Sequence, residues 1–134
     1  MLATVLYAVV DTEQLQMSVA CAGHPEPLLL RQGSVSGIVC NGTLPLLLME
    51  IGNIPVIQFE LQPGDRLLFY TDGISERQNA GGEMFEVGGI EAVLTQSHHL
   101  QSEQLMQSIV AGMEEFAAGT EPHDDQTLLL VTAS

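Results

Sequence analysis

Residues 61–76 read Leu61-Gln62-Pro63-Gly64-Asp65-Arg66-Leu67-Leu68-Phe69-Tyr70-Thr71-Asp72-Gly73-Ile74-Ser75-Glu76. Pro63-Gly64-Asp65 is turn chemistry, since proline presets its own φ and glycine accepts a positive one. Arg66 to Thr71 then forms a strand that is apolar at almost every position. Continuous rather than alternating apolar character predicts burial on both faces, hence a central strand of a layered sheet structure. Asp72-Gly73 follows it without a spacer. A second apolar strand, Thr127 to Thr132, reads as buried like the first and closes the chain, and His123-Asp124-Asp125-Gln126 leads straight into it.

Upstream the pattern is also β. Thr4 to Val10 and Leu15 to Ala22 flank the polar turn Asp11-Thr12-Glu13 and predict a hairpin. In its second strand Leu15, Met17, Val19 and Cys21 alternate with Gln14, Gln16, Ser18 and Ala20, the period of a half-buried strand. Gly23-His24-Pro25 breaks it. Pro27 to Arg31 and Val35 to Val39 form a short pair around Gln32-Gly33-Ser34. Residues 41–54, punctuated by Gly42, Pro45, Gly52 and Asn53, read as loop. Val56 to Leu61 alternates once more.

After Glu76 the period changes. Val87 to Gln96 predicts a short helix opened by Gly88-Gly89. Ser102 to Ala118 predicts a longer one, with Ser102 as its cap, Glu103 in its first turn and Gly119 at its C′ position. Leu105, Ile109, Met113 and Phe116 would line its apolar face. His98-His99 decorates a helix end, and Glu114 and Glu115 read as solvated surface.

With 134 residues, the chain is a single domain, 1–134, long enough to bury a core. Three Lys+Arg against 17 Asp+Glu give a net charge of −14, which repels phosphate backbones and anionic lipid. Nucleic-acid and membrane-surface binding are therefore not expected, and cations or basic partner faces are. A hydrophobic fraction of 46% and a charged fraction of 15% exclude a disordered acidic tail. The longest apolar run, Leu44 to Met49, is far too short for a membrane span and contains Pro45. Residues 1–5 lack the basic region and cleavage site of a secretory signal. Cys21 and Cys40 match no metal or redox spacing and read as buried thiols, with a disulfide as the lesser alternative. The expected location is cytoplasmic.

Asp72 stands just after one apolar strand and Asp124 just before the other. If those strands are antiparallel neighbours, both carboxylates emerge at one edge of the sheet, and a cation between them would relieve their repulsion. Oxygen-only ligands favour hard divalent ions, Mg²⁺ or Mn²⁺. The alternative at each position is a turn residue: Asp-Gly is ordinary turn chemistry, Asp124-Asp125 can be held in water, and His24 can bond backbone in a loop.

Four strings occur in order: Tyr7-Ala8-Val9-Val10-Asp11, Ala22-Gly23-His24-Pro25, residues 61–76 above, and His123-Asp124-Asp125-Gln126-Thr127-Leu128-Leu129. Together they resemble the C-terminal part of bacterial PPM-type (protein phosphatase 2C-like) serine phosphatases of the stage II sporulation protein E group. The resemblance spans essentially the whole chain. It implies an α+β fold, a four-layer α-β-β-α sandwich of mostly antiparallel sheets. Asp72 and Asp124 match metal-binding aspartates of that family. Asp125 matches a neighbouring position that supports the metal site, Gly73 would allow close backbone approach beside Asp72, and Gly23 and His24 match a structural signature near the site.

A complete domain of this kind would hold two Mg²⁺ or Mn²⁺ ions. A metal-held water would hydrolyse phosphoserine or phosphothreonine on a protein, so no catalytic Ser or Cys is needed. By analogy the substrate is a phosphorylated anti-sigma-factor antagonist, and upstream sensor or receiver domains exert control. The sequence departs from the pattern in one respect. Such domains carry an N-terminal section with a further acidic metal-binding motif, and nothing like it precedes Thr4. Met1 is therefore expected to lie inside the domain, with weak metal binding, low activity and an exposed apolar sheet surface favouring homodimerisation. Two other readings stand beside the enzyme: a non-catalytic regulatory or partner-binding module on the same fold, and an acidic β-rich interaction domain in which Asp72 and Asp124 are turn residues.

Overall fold

The structure, a computed structural model, describes residues 3–40, 45 and 54–134. Apart from Pro45 and Ile54, the expected 41–54 loop and the apolar run at 44–49 lie outside the described residues. Among the described residues seven strands and three helices follow in the order β1 (Val5–Asp11), β2 (Gln16–Ala22), β3 (Leu28–Arg31), β4 (Ser34–Gly37), β5 (Ile57–Glu60), β6 (Arg66–Tyr70), α1 (Asp72–Ser75), α2 (Glu86–Gln96), α3 (Ser102–Ala117) and β7 (Leu128–Thr132). The strands form two sheets, β1-β2-β5 and β4-β3-β6-β7, and every pairing within them is antiparallel.

Alternation in the sequence becomes the inter-sheet core. Met17, Val19 and Cys21 of β2 point inward and meet Leu29 and Leu67 from the facing sheet, with Cys40, Leu61 and Ala133 completing the layer. A second core lies on the other side of the four-stranded sheet. There Leu28, Leu30, Leu68 and Tyr70 pack against Ile90 and Leu94 of α2 and Leu105, Ile109 and Met113 of α3. Leu67 and Leu68 are adjacent in sequence and 1% exposed each, yet they serve opposite cores. That is the physical meaning of the continuous apolar run: β6 is buried on both faces, each such leucine contributing about 1.5–3 kcal/mol. The mixed α+β class with antiparallel sheets is as expected. Among the described residues the helices α2 and α3 cover the four-stranded sheet.

Polar links hold the layers in register. Asp65, read from the sequence as part of a turn, is 2% exposed. Its carboxylate accepts from Arg31 Nε at 2.9 Å and Nη2 at 2.6 Å, and from the Gln62 backbone N–H at 2.7 Å. This forked pair ties the end of β3 to the turn before β6. Arg66 donates to the carbonyls of Leu100, at 2.7 Å, and of His98, which clamps the α2–α3 connection onto β6. Arg77, 3% exposed, donates to Thr120 Oγ1 at 3.1 Å and to the Thr120 carbonyl, and its Nη2 lies 3.6 Å from Glu114.

Three sequence readings are corrected. Ser102 is the first residue of α3 rather than its cap: Gln101 holds the cap position without a side-chain bond, and Ser102 Oγ shares a hydrogen bond with Thr132 Oγ1 at 2.9 Å. The buried face of α3 ends in Ala117, while Phe116 is half-buried and meets the Phe85 ring at 5.5 Å. β7, apolar from Leu128 to Val131, is not buried on both faces: among the described residues it pairs with β6 alone, and Leu129 is 57% exposed.

Candidate metal centre

β6 and β7 are antiparallel neighbours, with Tyr70 opposite Leu128. The chain leaves β6 at Thr71-Asp72 on the side where Asp124-Asp125 enters β7, so both acidic segments emerge at one end of the sheet. Thr71 stitches them together. Its N–H donates to the Thr127 carbonyl at 3.1 Å, and its Oγ1 accepts from the Thr127 N–H at 3.0 Å. Thr71 Oγ1 also donates to the Asp125 carbonyl at 3.5 Å, and Gln126 Nε2 reaches the Gly73 carbonyl at 3.4 Å.

Asp72 opens the helical turn α1, which directs its backbone away from the sheet at once. The sequence reading of a plain Asp-Gly turn misses this helical turn. Gly73 sits against the opposing segment, where a Cβ would lie 2.1 Å from the Asp125 carbonyl oxygen. Only glycine allows that approach. The Asp124 carboxylate turns back to accept from the Asp125 N–H at 2.8 Å.

His24 arrives from the other sheet. β2 ends at Ala22, and Gly23 takes a φ of +67° against Pro45, whose Cγ would be 2.6 Å from a Cβ there. His24 Nδ1 bonds the Pro25 carbonyl at 2.9 Å, and among the described residues Nε2 has no hydrogen-bond partner. Asp72, Asp124, Asp125 and His24, with Thr4, Pro25 and Thr71, line one pocket of about 210 Å³. The structure therefore brings all four sequence-singled polar residues into one place. Thr71, Thr4 and Pro25 were not singled out beforehand. For Thr71 the signal was its position immediately before Asp72, for Pro25 its place directly after His24, and for Thr4 there was none.

Tyr70, two residues before Asp72, is 4% exposed, and burial, with Glu91, Glu26 and Asp72 adding to it, pushes its phenol up to about 12. It is neutral at physiological pH and adds no charge to the site. Three of the pocket's side chains, Asp72, Asp124 and Asp125, offer carboxylate oxygens in a chain of net charge −14, the ligand type that suits a hard divalent cation. No group of three or more His, Cys, Asp or Glu side chains placed to hold an ion occurs among the described residues. Among the described residues these side chains form no closed protein cage, and oxygen ligands so few in number would suit only a cation that keeps most of its water.

The stage II sporulation protein E (SpoIIE) profile matches residues 1–134, the whole chain. The chain belongs to the SpoIIE family. Solved structures agree with the fold. The SiaA-PP2C domain of Pseudomonas aeruginosa superposes with a TM-score of 0.83 at 19% identity, over 96% of this chain and 51% of that one. The RsbU and RsbW domains of Rv1364c from Mycobacterium tuberculosis give 0.74 at 27% identity, over 95% and 35%. The phosphatase domain of SpoIIE from Bacillus subtilis gives 0.68 at 15% identity, over 97% and 56%. This SpoIIE-family chain thus spans about half or less of the solved chains it matches. No curated protein matches it. Among the described residues no helix is long and apolar enough to cross a membrane.

Proposed function

We propose that this SpoIIE-family chain is part of a metal-dependent protein serine/threonine phosphatase domain, with Asp72 and Asp124 as its metal ligands. One observation carries the reading: the β6–β7 pairing delivers both carboxylates to a single polar pocket. Mg²⁺ or Mn²⁺, when bound, would acidify a water and neutralise charge on a phosphoryl group. The chain's own residues do the rest. Asp72 and Asp124 provide the oxygens, the Thr71–Thr127 bonds hold their segments at fixed separation, and Gly73 lets those segments close up. Asp125 supports the geometry from beside Asp124, while His24 and Gly23 shape the wall opposite.

The substrate class is phosphoserine or phosphothreonine on a regulatory protein, by analogy a phosphorylated anti-sigma-factor antagonist, and the pocket's open form suits a protein-borne group. Regulation by an upstream sensor or receiver domain and a cytoplasmic setting belong to the same proposal. A second reading, a non-catalytic partner-binding module on this fold, is favoured by the absence of a three-carboxylate group among the described residues. Mn²⁺ titration of the chain beside Asp72→Asn separates them. Binding tighter than about millimolar that disappears in the variant supports the phosphatase site. Identical titrations of the two proteins reject the metal role of Asp72.

A further inference from the structure

The segments that carry Asp72 and Asp124 are tied together on two sides. On the sheet side Thr71, directly before Asp72, bonds Thr127, three residues after Asp124. On the helix side Arg77, five residues after Asp72, bonds Thr120, four residues before Asp124. Arg77 is buried. Its Nη1 donates to Thr120 Oγ1 at 3.1 Å and its Nη2 to the Thr120 carbonyl, while Thr120 Oγ1 donates in return to the Gln78 carbonyl at 2.6 Å. Glu114, 3.6 Å from Nη2, is half-exposed, and water screens that pair. Backbone bonds seat Arg77 itself. Its N–H reaches the Ile74 carbonyl of α1 at 3.3 Å, and its carbonyl accepts from the Phe85 N–H at 2.9 Å. Thr120 is delivered by two left-handed residues, Ala118 and Gly119, with φ of +51° and +87°. They turn the chain back at the end of α3, a helix whose last turn holds no basic residue. Arg77 thus supplies the positive charge that the carbonyl end of α3 lacks.

We propose that Arg77, acting through Thr120, is a positioning residue of the metal pocket and fixes Asp124 relative to Asp72 from the helix side. Asp124 stands between two anchors. Asp125, Gln126 and Thr127 are fastened downstream to Thr71 and Gly73, and Thr120 is fastened upstream to Arg77. In between, Glu121, Pro122 and His123 are exposed and belong to no helix or strand. A residue held from one side alone turns about its own φ and ψ, which swings its carboxylate, and an anchor on each side stops that rotation. Asp72 stands at the other end of the same tie, since it opens the helical turn α1 that leads to Arg77. The burial of the guanidinium supports this role. Its Nε has no hydrogen-bond partner among the described residues. A buried charge with an unspent donor is a poor way to fill space, and an apolar side chain often replaces one without loss of stability. An apolar side chain cannot, however, grip the Thr120 carbonyl and hydroxyl together as the guanidinium fork does. The proposal rests on the reading of Asp72 and Asp124 as metal ligands, and its test has one arm that does not.

The test compares the parent chain with Arg77→Met, Arg77→Lys and Thr120→Val. Mn²⁺ affinity is read by calorimetry, stability by urea denaturation, and backbone order by ¹⁵N relaxation without metal. Arg77→Met is expected to bind Mn²⁺ about tenfold more weakly or worse, at the parent's urea midpoint. Order parameters over residues 121–125 are expected to fall from about 0.85 to below about 0.6, with those of α3 and β7 unchanged. Arg77→Lys, which still donates to the Thr120 carbonyl, should recover part of both. Thr120→Val breaks the clamp from its other end, and carries the test should Arg77→Met fail to fold. Parent-like affinity and order in Arg77→Met and Thr120→Val overturn the proposal. So does a loss in which α3 loosens and the urea midpoint of Arg77→Met drops in step, the mark of a merely structural arginine. A parent that binds no Mn²⁺ rejects the ligand reading and overturns the proposal with it. The relaxation contrast, seen without metal, tells that failure apart from a clamp that holds nothing.

Discussion

Gly73 lies so close to the Asp125 carbonyl that a Cβ at Gly73 would be 2.1 Å from that oxygen. The contact joins the first turn after β6 to the segment entering β7, and so fixes the distance between the two acidic segments. Both obstructing atoms belong to backbone, which cannot move aside as a flexible side chain can. Gly73→Ala is accordingly expected to destabilise the fold by about 3 kcal/mol, read as a lower urea midpoint with an unchanged slope. A loss under about 0.5 kcal/mol would show that the segments part freely.

Asp124 should behave in the opposite way. It is exposed, and among the described residues its carboxylate bonds only the next backbone N–H. Asp124→Asn is expected to leave stability within about 0.5 kcal/mol of the parent. Calorimetric Mn²⁺ binding, in contrast, should be lost. Retained binding would remove Asp124 from the ligand set.

Asp65 makes the acid limb of stability predictable. The Arg31 guanidinium hydrogen-bonded to it, aided by the Gln62 N–H, holds its carboxyl below the ordinary 3.8. A carboxyl lowered in the folded state binds fewer protons there than in the unfolded chain. Its contribution is therefore complete above the ordinary value and is lost as pH falls through the folded one. Asp65→Asn is expected to cost about 2–4 kcal/mol at neutral pH by leaving the fork of Arg31 half-satisfied. The variant's stability should also change less between pH 5 and pH 2, which denaturation across that range would measure.

The two thiols govern the alkaline limb. Burial, then its contact with the Cys21 thiol, pushes Cys40 up to about 12, and burial also raises Cys21 above the ordinary 9.0. Both stay protonated in the fold while the unfolded chain ionises first, so stability should fall as pH rises from about 9 toward 12. Tyr70 adds to the loss above its ordinary 10.0. Native protein should react with a thiol reagent at pH 8 only as fast as it opens, and urea should release both groups. Rapid labelling of either cysteine in the native state would contradict their burial.

Much of the fold was legible because its periods are unmixed. The alternation read over residues 15–22 became the strand Gln16–Ala22 with Met17, Val19 and Cys21 inward, and the apolar run in residues 67–70 became the centre of β6. The site was legible as two aspartates beside two apolar strands. Asp65 was not, because a turn aspartate bound to water and one bound to an arginine 34 residues away look identical in sequence. β7 misled for a related reason: apolar composition records what a strand can bury, whereas Leu129 shows that the edge determines what it does bury.

The sequence by itself determined the elements and the chemistry on offer, because backbone propensity, side-chain period and charge are local properties. Tertiary structure alone decided that β6 and β7 are antiparallel neighbours, that Gly73 meets Asp125, and that His24 faces the aspartates from the other sheet. Those relationships join residues some 50 to 100 positions apart. They exist only once burying two apolar faces repays the entropy of bringing them together.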